Sequence, residues 1–106
     1  MTKITKDGLK VYIQENQKPM VVKFWAPWCK PCLAMAPLLE KVAKELAPQV
    51  AFASVNLDEN PQTINQYQVR SIPTLLLING TGKIVKQLVG EEIDMTSLRK
   101  ELGSLR

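Results

Sequence analysis

The chain has 106 residues, 45% hydrophobic and 23% charged, which is the composition of a globular domain large enough for one core and too short for two. Its 14 Lys and Arg outnumber 10 Asp and Glu by a scattered surplus of +4, so a solvated basic surface accounts for the charge and nucleic-acid binding has no support. No stretch approaches the ~20 apolar residues of a membrane span; residues 1–6 lack the apolar core of an export signal, and the expected setting is the cytosol.

Along the chain, Thr5 reads as a helix cap, and Leu9, Tyr12 and Ile13 follow at helical spacing until residues 16–19 break the pattern. Residues 20–25, Met-Val-Val-Lys-Phe-Trp, form a nearly continuous apolar run, as in a strand covered on both faces; Lys23 is the exception. From Pro31, residues Met35, Leu38, Leu39, Val42 and Leu46 share one helical face, opposite Glu40, Lys41, Lys44 and Glu45. This predicts a helix of about four turns ending before Pro48, with a kink rather than a break at Pro37.

Residues 50–57 read as a second buried strand. Asn60 is the expected cap, and Pro61 the first position, of a short helix reaching about Tyr67. Residues 74–78 are a third apolar strand, joined through Asn79-Gly80-Thr81-Gly82 to residues 83–89 as a hairpin. Asp94 caps a last helix whose Met95, Leu98, Leu102 and Leu105 share a face. The order is β α β α β α β β α in one domain over residues 1–106. Strands joined through helices are expected to run parallel with right-handed crossovers, and the closing hairpin antiparallel, giving a mixed sheet with helices on both faces.

The chemistry concentrates in Cys29-Lys30-Pro31-Cys32. These are the only cysteines, and the chain has no histidine. In a reducing compartment such a pair points to catalysis or metal binding rather than a structural staple. Cys29 falls beyond the carboxyl end of a strand and at the start of a helix, where unpaired N–H groups and the helix dipole favour a thiolate, the nucleophilic form. Cys32 lies one turn later on the same face, within bonding range, and Pro31 restricts the loop between them. Attack by Cys29 on a disulfide, followed by attack of Cys32 on Cys29, would reduce the substrate and close this ring. A complete zinc site within one chain is excluded; a zinc or iron–sulfur centre shared between two chains, and a purely structural disulfide, stay open.

Taken together, Phe24-Trp25-Ala26-Pro27-Trp28-Cys29, Pro31-Cys32, Ala36-Pro37, Asn60-Pro61, Ile72-Pro73-Thr74 and Val89-Gly90 resemble the thioredoxin family, in order and over essentially the whole chain. The resemblance implies an α/β thioredoxin fold, with a central mixed sheet of four to five strands flanked by about four helices. It implies a protein-disulfide reductase with Cys29 as nucleophile and Cys32 as buried resolving thiol, and a cis peptide between Ile72 and Pro73 opposite them. Trp28, Ile72, Pro73, Val89 and Gly90 would form the docking groove. The implied partners are disulfide-bearing client proteins and, as electron donor, a flavin-containing thioredoxin reductase using NADPH. The protein would be a monomer with no cofactor or metal of its own. A non-enzymatic binding module of the same fold, and an oxidase or isomerase, are the competing readings.

Two residues depart from the family pattern. Lys30 stands where the family usually has Gly, either as a solvated charge or as an electrostatic influence on Cys29. Lys23 stands where the family typically has a buried Asp that accepts a proton near the resolving cysteine. The expectation for Lys23 is a side chain that snorkels to the surface; the alternative is assistance to Cys32, with Ser54 on the neighbouring strand part of a rearranged polar pair. Lys23, Lys30 and Pro31 are thus the candidate modulators of cysteine pKa.

Overall fold

The structure is a computed structural model and describes residues 1–5 and 8–105. Its elements in chain order are β1 (Thr2–Ile4), α1 (Gly8–Glu15), β2 (Met20–Trp25), α2 (Lys30–Leu46), β3 (Ala51–Asn56), α3 (Gln62–Gln66), β4 (Thr74–Ile78), β5 (Ile84–Val89) and α4 (Met95–Gly103), with a 3-10 turn, Gly90–Glu92, before α4. One five-stranded mixed sheet results, ordered β1-β3-β2-β4-β5. β1, β3 and β2 are parallel, and β4 is antiparallel to both β2 and β5.

Alternation along the strands divides the core into two layers. On one face, Val21, Leu75 and Leu77 pack against Met35, Leu39 and Val42 of α2 and Leu98 and Leu102 of α4. On the other, Met20, Val22, Phe24, Leu76 and Ile78 pack with Leu9 of α1 and Val69. By this period of two, Lys23 belongs with Val21 on the α2 face. α2 runs through Pro37 without interruption. The hairpin closes as its sequence predicts: Gly82 adopts φ +88°, and Asn79 Oδ1 accepts from the Thr81 and Lys83 N–H groups.

Four expectations need correction or completion. The leading strand of the expected order is β1, only three residues long and too short to show a period; the helix start after Thr5 lies partly outside the described residues, although Thr5 O accepts the Gly8 N–H at 3.1 Å. β4 runs against β3 although a helix joins them: the connection through α3 brings the chain back to the end of the sheet where β3 finished, and β4 returns antiparallel to β2. Leu38 is 55% exposed, not core: the buried stripe of α2 is narrower than its apolar pattern. Finally, Asn60 does not cap α3 with its side chain. Fully buried, its Nδ2 donates to Ile4 O (3.3 Å) and Asn56 O (3.0 Å), tying β1 to the end of β3, while Pro61 occupies the cap position.

Candidate active site

β2 ends at Trp25, and the turn through Ala26 to Trp28 delivers Cys29 to the N-terminus of α2 as its cap residue, with extended backbone (φ −88°, ψ 101°). Where Ser or Asp would supply an oxygen, Cys29 supplies sulfur: its Sγ accepts the Cys32 N–H at 3.2 Å. Pro31 sits in the first turn, where its missing N–H costs nothing because that group has no partner within the helix. Cys29 and Cys32 are joined as a disulfide with Cα atoms 5.3 Å apart. Cys29 is 5% exposed and Cys32 wholly buried against Ala26, Trp25 and Ile72, so an incoming group meets Cys29 first.

Grooves open on either side of the disulfide, and Ile72 borders both. One, of about 670 Å³, is lined by Trp28, Leu57, Asp58, Pro61, Ile64 and Arg70 among others. Trp28 is 69% exposed, and its Nε1–H donates to Asp58 Oδ1 at 3.2 Å; the Asp58 N–H in turn donates to Asn56 Oδ1. The second groove, of about 610 Å³, runs between α2 and the start of α4 past Pro31, Pro73 and Gly90. The Ile72–Pro73 peptide is cis, as is Ala47–Pro48. Gly90 N–H donates to Pro73 O at 2.9 Å and holds φ +55°, with open space where a Cβ would stand. Val89 leads into Gly90 but borders neither groove, and its N–H is taken by Glu92.

Of the sequence-predicted residues, Trp28, Cys29, Pro31, Cys32, Ile72, Pro73 and Gly90 therefore converge. Lys30 is exposed on the first turn of α2. Asp58 was missed; its signal was its place just past the carboxyl end of β3, the same sheet end that carries Cys29.

Lys23 does not snorkel. It is 4% exposed, and its Nζ donates to Cys32 O at 3.3 Å and lies 5.6 Å from the centre of the Trp25 ring. The reason is its parity in β2, which aims it at α2 rather than outward. Desolvation pushes its pKa below the usual lysine range, and the Glu40 carboxylate partly opposes that. Lys23, Glu40, Trp25, Leu33 and Ser54 border a cavity of about 210 Å³. Ser54 faces Lys23 in the β2–β3 register.

Comparison with known proteins gives a consistent picture. The thioredoxin family model matches residues 1–103. The chain is 51% identical to a thioredoxin of Alicyclobacillus acidocaldarius over 76 residues, 72% of this chain and 71% of that protein. It is 38% identical to thioredoxin 1 of a Nostoc species over 99 residues, covering 93% and 91% of the two chains. The crystal structure of Fasciola hepatica thioredoxin superposes over the full length of both chains with a TM-score of 0.84 at 33% identity.

The burial of Lys23 sets the sign of a pH dependence. Its folded pKa lies below the ordinary 10.5, so above that lowered value the unfolded chain binds the extra proton and stability rises with pH until 10.5. In urea unfolding, the stability of the wild type relative to Lys23→Met is expected to rise between pH 7 and 10.5. A difference that stays flat or falls over that range contradicts a desolvated ammonium.

Proposed function

The chain belongs to the thioredoxin family and is a thiol-disulfide oxidoreductase, and from that premise we propose how its residues divide the work. The observation that carries the reading is a sulfur serving as the cap of α2, one turn from a buried partner sulfur. In the reduced protein, the Cys29 thiolate attacks one sulfur of a client disulfide, forming a Cys29–client disulfide and expelling the other client sulfur as thiolate. Cys32, losing its proton, then attacks Cys29 Sγ and releases the second client thiolate. Two electrons pass to the client, and the protein is left with the Cys29–Cys32 disulfide of this structure. A thioredoxin reductase returns it to the dithiol.

Trp28, Ile72, Pro73 and Gly90 present the client segment to Cys29, with Val89 setting the position of Gly90. Pro31 keeps the reduced cysteines close together. Lys30, beside Cys29, and Lys23, behind Cys32, favour the thiolate forms by charge. The domain spans residues 1–106 and acts as a monomer in the cytoplasm; among the described residues, no helix is long and apolar enough to cross a membrane.

Reduction of insulin disulfides with dithiothreitol as electron source is expected to be accelerated by the wild type and not by Cys29→Ser. Cys32→Ser should instead accumulate a Cys29–client mixed disulfide visible by mass spectrometry. Trapping through Cys32 in the Cys29→Ser protein, with none through Cys29, would reverse the assigned roles.

The charge reading has its own test. A more stable thiolate stabilises the reduced form and raises the potential. For the exposed Lys30, at a separation of about 6 Å in a water-like medium, a unit charge contributes ~0.7 kcal/mol, equivalent to roughly 15 mV for this couple. Redox titration against glutathione is expected to place Lys30→Gly and Lys23→Met at more negative potentials than the wild type. An equal or higher potential in either variant removes that lysine from the mechanism.

A further inference from the structure

The groove between α2 and α4 extends well past the cysteines, and disulfide exchange by itself has no use for its far end. Its walls there are Met35 and Leu38 from α2, Ile93 just before α4 and Met95 at its first position, continuous with Pro31, Ile72 and Pro73 beside the disulfide. Leu38 is an apolar side chain on a helix facing this groove, yet the chain leaves it mostly uncovered. Two carboxylates stand on the same rim. Asp94 is held ionised by the Ser97 N–H and hydroxyl, both of which donate to its Oδ2 and keep its pKa below the usual carboxylate range. Glu91 is exposed, and among the described residues no Lys or Arg lines the groove, although the chain as a whole carries a net charge of +4. Across the disulfide the balance differs: the other groove is lined by one cation and one carboxylate, Arg70 and Asp58, the latter accepting from Trp28 Nε1–H.

We propose that this far end is a specificity subsite for an extended client segment that carries an apolar side chain and an adjacent Lys or Arg close to its disulfide cysteine. The proposal rests on the disulfide-reductase reading and adds a substrate class to it. The apolar side chain fills the space over Met35, Leu38, Ile93 and Met95, where it is removed from water. The basic residue meets Glu91 and Asp94 at the rim, an arrangement that favours encounter and register more than tight binding. Continuity of the groove with Ile72–Pro73 lets one extended segment reach both the subsite and Cys29.

The test uses the pre-reduced protein and three peptides, identical except that Leu-Lys, Leu-Glu or Ala-Lys adjoins a single cysteine held as a mixed disulfide with 2-mercaptoethanol. Each second-order rate is divided by the rate of the same peptide with dithiothreitol, which removes intrinsic differences in the leaving thiol. At low salt the Leu-Lys peptide is expected to react about three- to tenfold faster than Leu-Glu and several-fold faster than Ala-Lys, the first ratio narrowing as salt is added. In a Glu91→Gln, Asp94→Asn double variant the Lys-to-Glu ratio should fall below about twofold; Asn preserves the cap of α4.

A wild-type ratio near one, or a ratio that the double variant leaves unchanged, overturns the proposal. So does a concentration-dependent dimer that blocks peptide reduction, which would assign the groove to a second copy of the chain. If neither the peptides nor insulin are reduced, the reductase reading itself falls, and this proposal with it; normal insulin reduction without the peptide preference overturns the subsite alone.

Discussion

The structure turns on the first residue of the Cys29-Lys30-Pro31-Cys32 run being a helix cap. A helix begins with N–H groups that have no partner of its own, and here the atom that answers one of them is the Cys29 sulfur, through the Cys32 N–H. The residue that starts α2 is thereby the residue whose anionic form that helix end favours. The geometry of the next turn follows: Cys32 must lie above Cys29, and the packing of α2 on β2 buries it. Position and concealment of the two sulfurs come from one local constraint.

The reversal of β4 completes the site. β3 ends at the end of the sheet where Cys29 sits, and the connection through α3 enters β4 at that same end, with Thr74 opposite Phe24 near the end of β2. A parallel β4 would have begun at the far edge, roughly 20 Å away, and would have taken Ile72 and Pro73 with it. The same connection places Arg70 and Ile72 along one groove, and the Gly90 turn, hydrogen-bonded to Pro73, brings the start of α4 alongside the other. Two differently charged walls around one disulfide follow from the topology.

Much of this was legible in the chain because hydrophobic periodicity reports directly on the sheet and helices. The strands around Met20, Phe52 and Leu75, the Asp94 cap and the Asn79–Gly82 hairpin all carry strong local signals, and the cysteine spacing alone located the chemistry. What the pattern could not carry was tertiary. Leu38 obeys the helical period yet falls at the seam between α2 and α4, and only the placement of α4 decides whether it is covered. Asn60 looks like a cap because Pro61 follows it, but the carbonyl of Ile4, 56 residues away, takes its amide instead. The direction of β4 depends on which end of the sheet the connection through α3 returns to, which no local pattern records. A lysine in a strand usually signals an exposed edge; Lys23 is central, and strand parity sent it inward beneath Cys32.

The proposed electrostatic role of Lys23 rests on that burial. Lys23 stands behind Cys32, with its Nζ donating to Cys32 O, and Lys30 is exposed on the first turn of α2 beside Cys29, while the fold keeps Cys29 the more accessible residue. The claim at the centre of the account is that Cys29 is an activated thiolate and Cys32 a sheltered one. Alkylation of the fully reduced protein with iodoacetamide across pH, followed by peptide mapping, measures both at once. Label is expected to accumulate on Cys29 well before Cys32, with a midpoint below the ~8.5 of a free cysteine. Preferential labelling of Cys32, or a Cys29 midpoint at or above the free-thiol value, would contradict it.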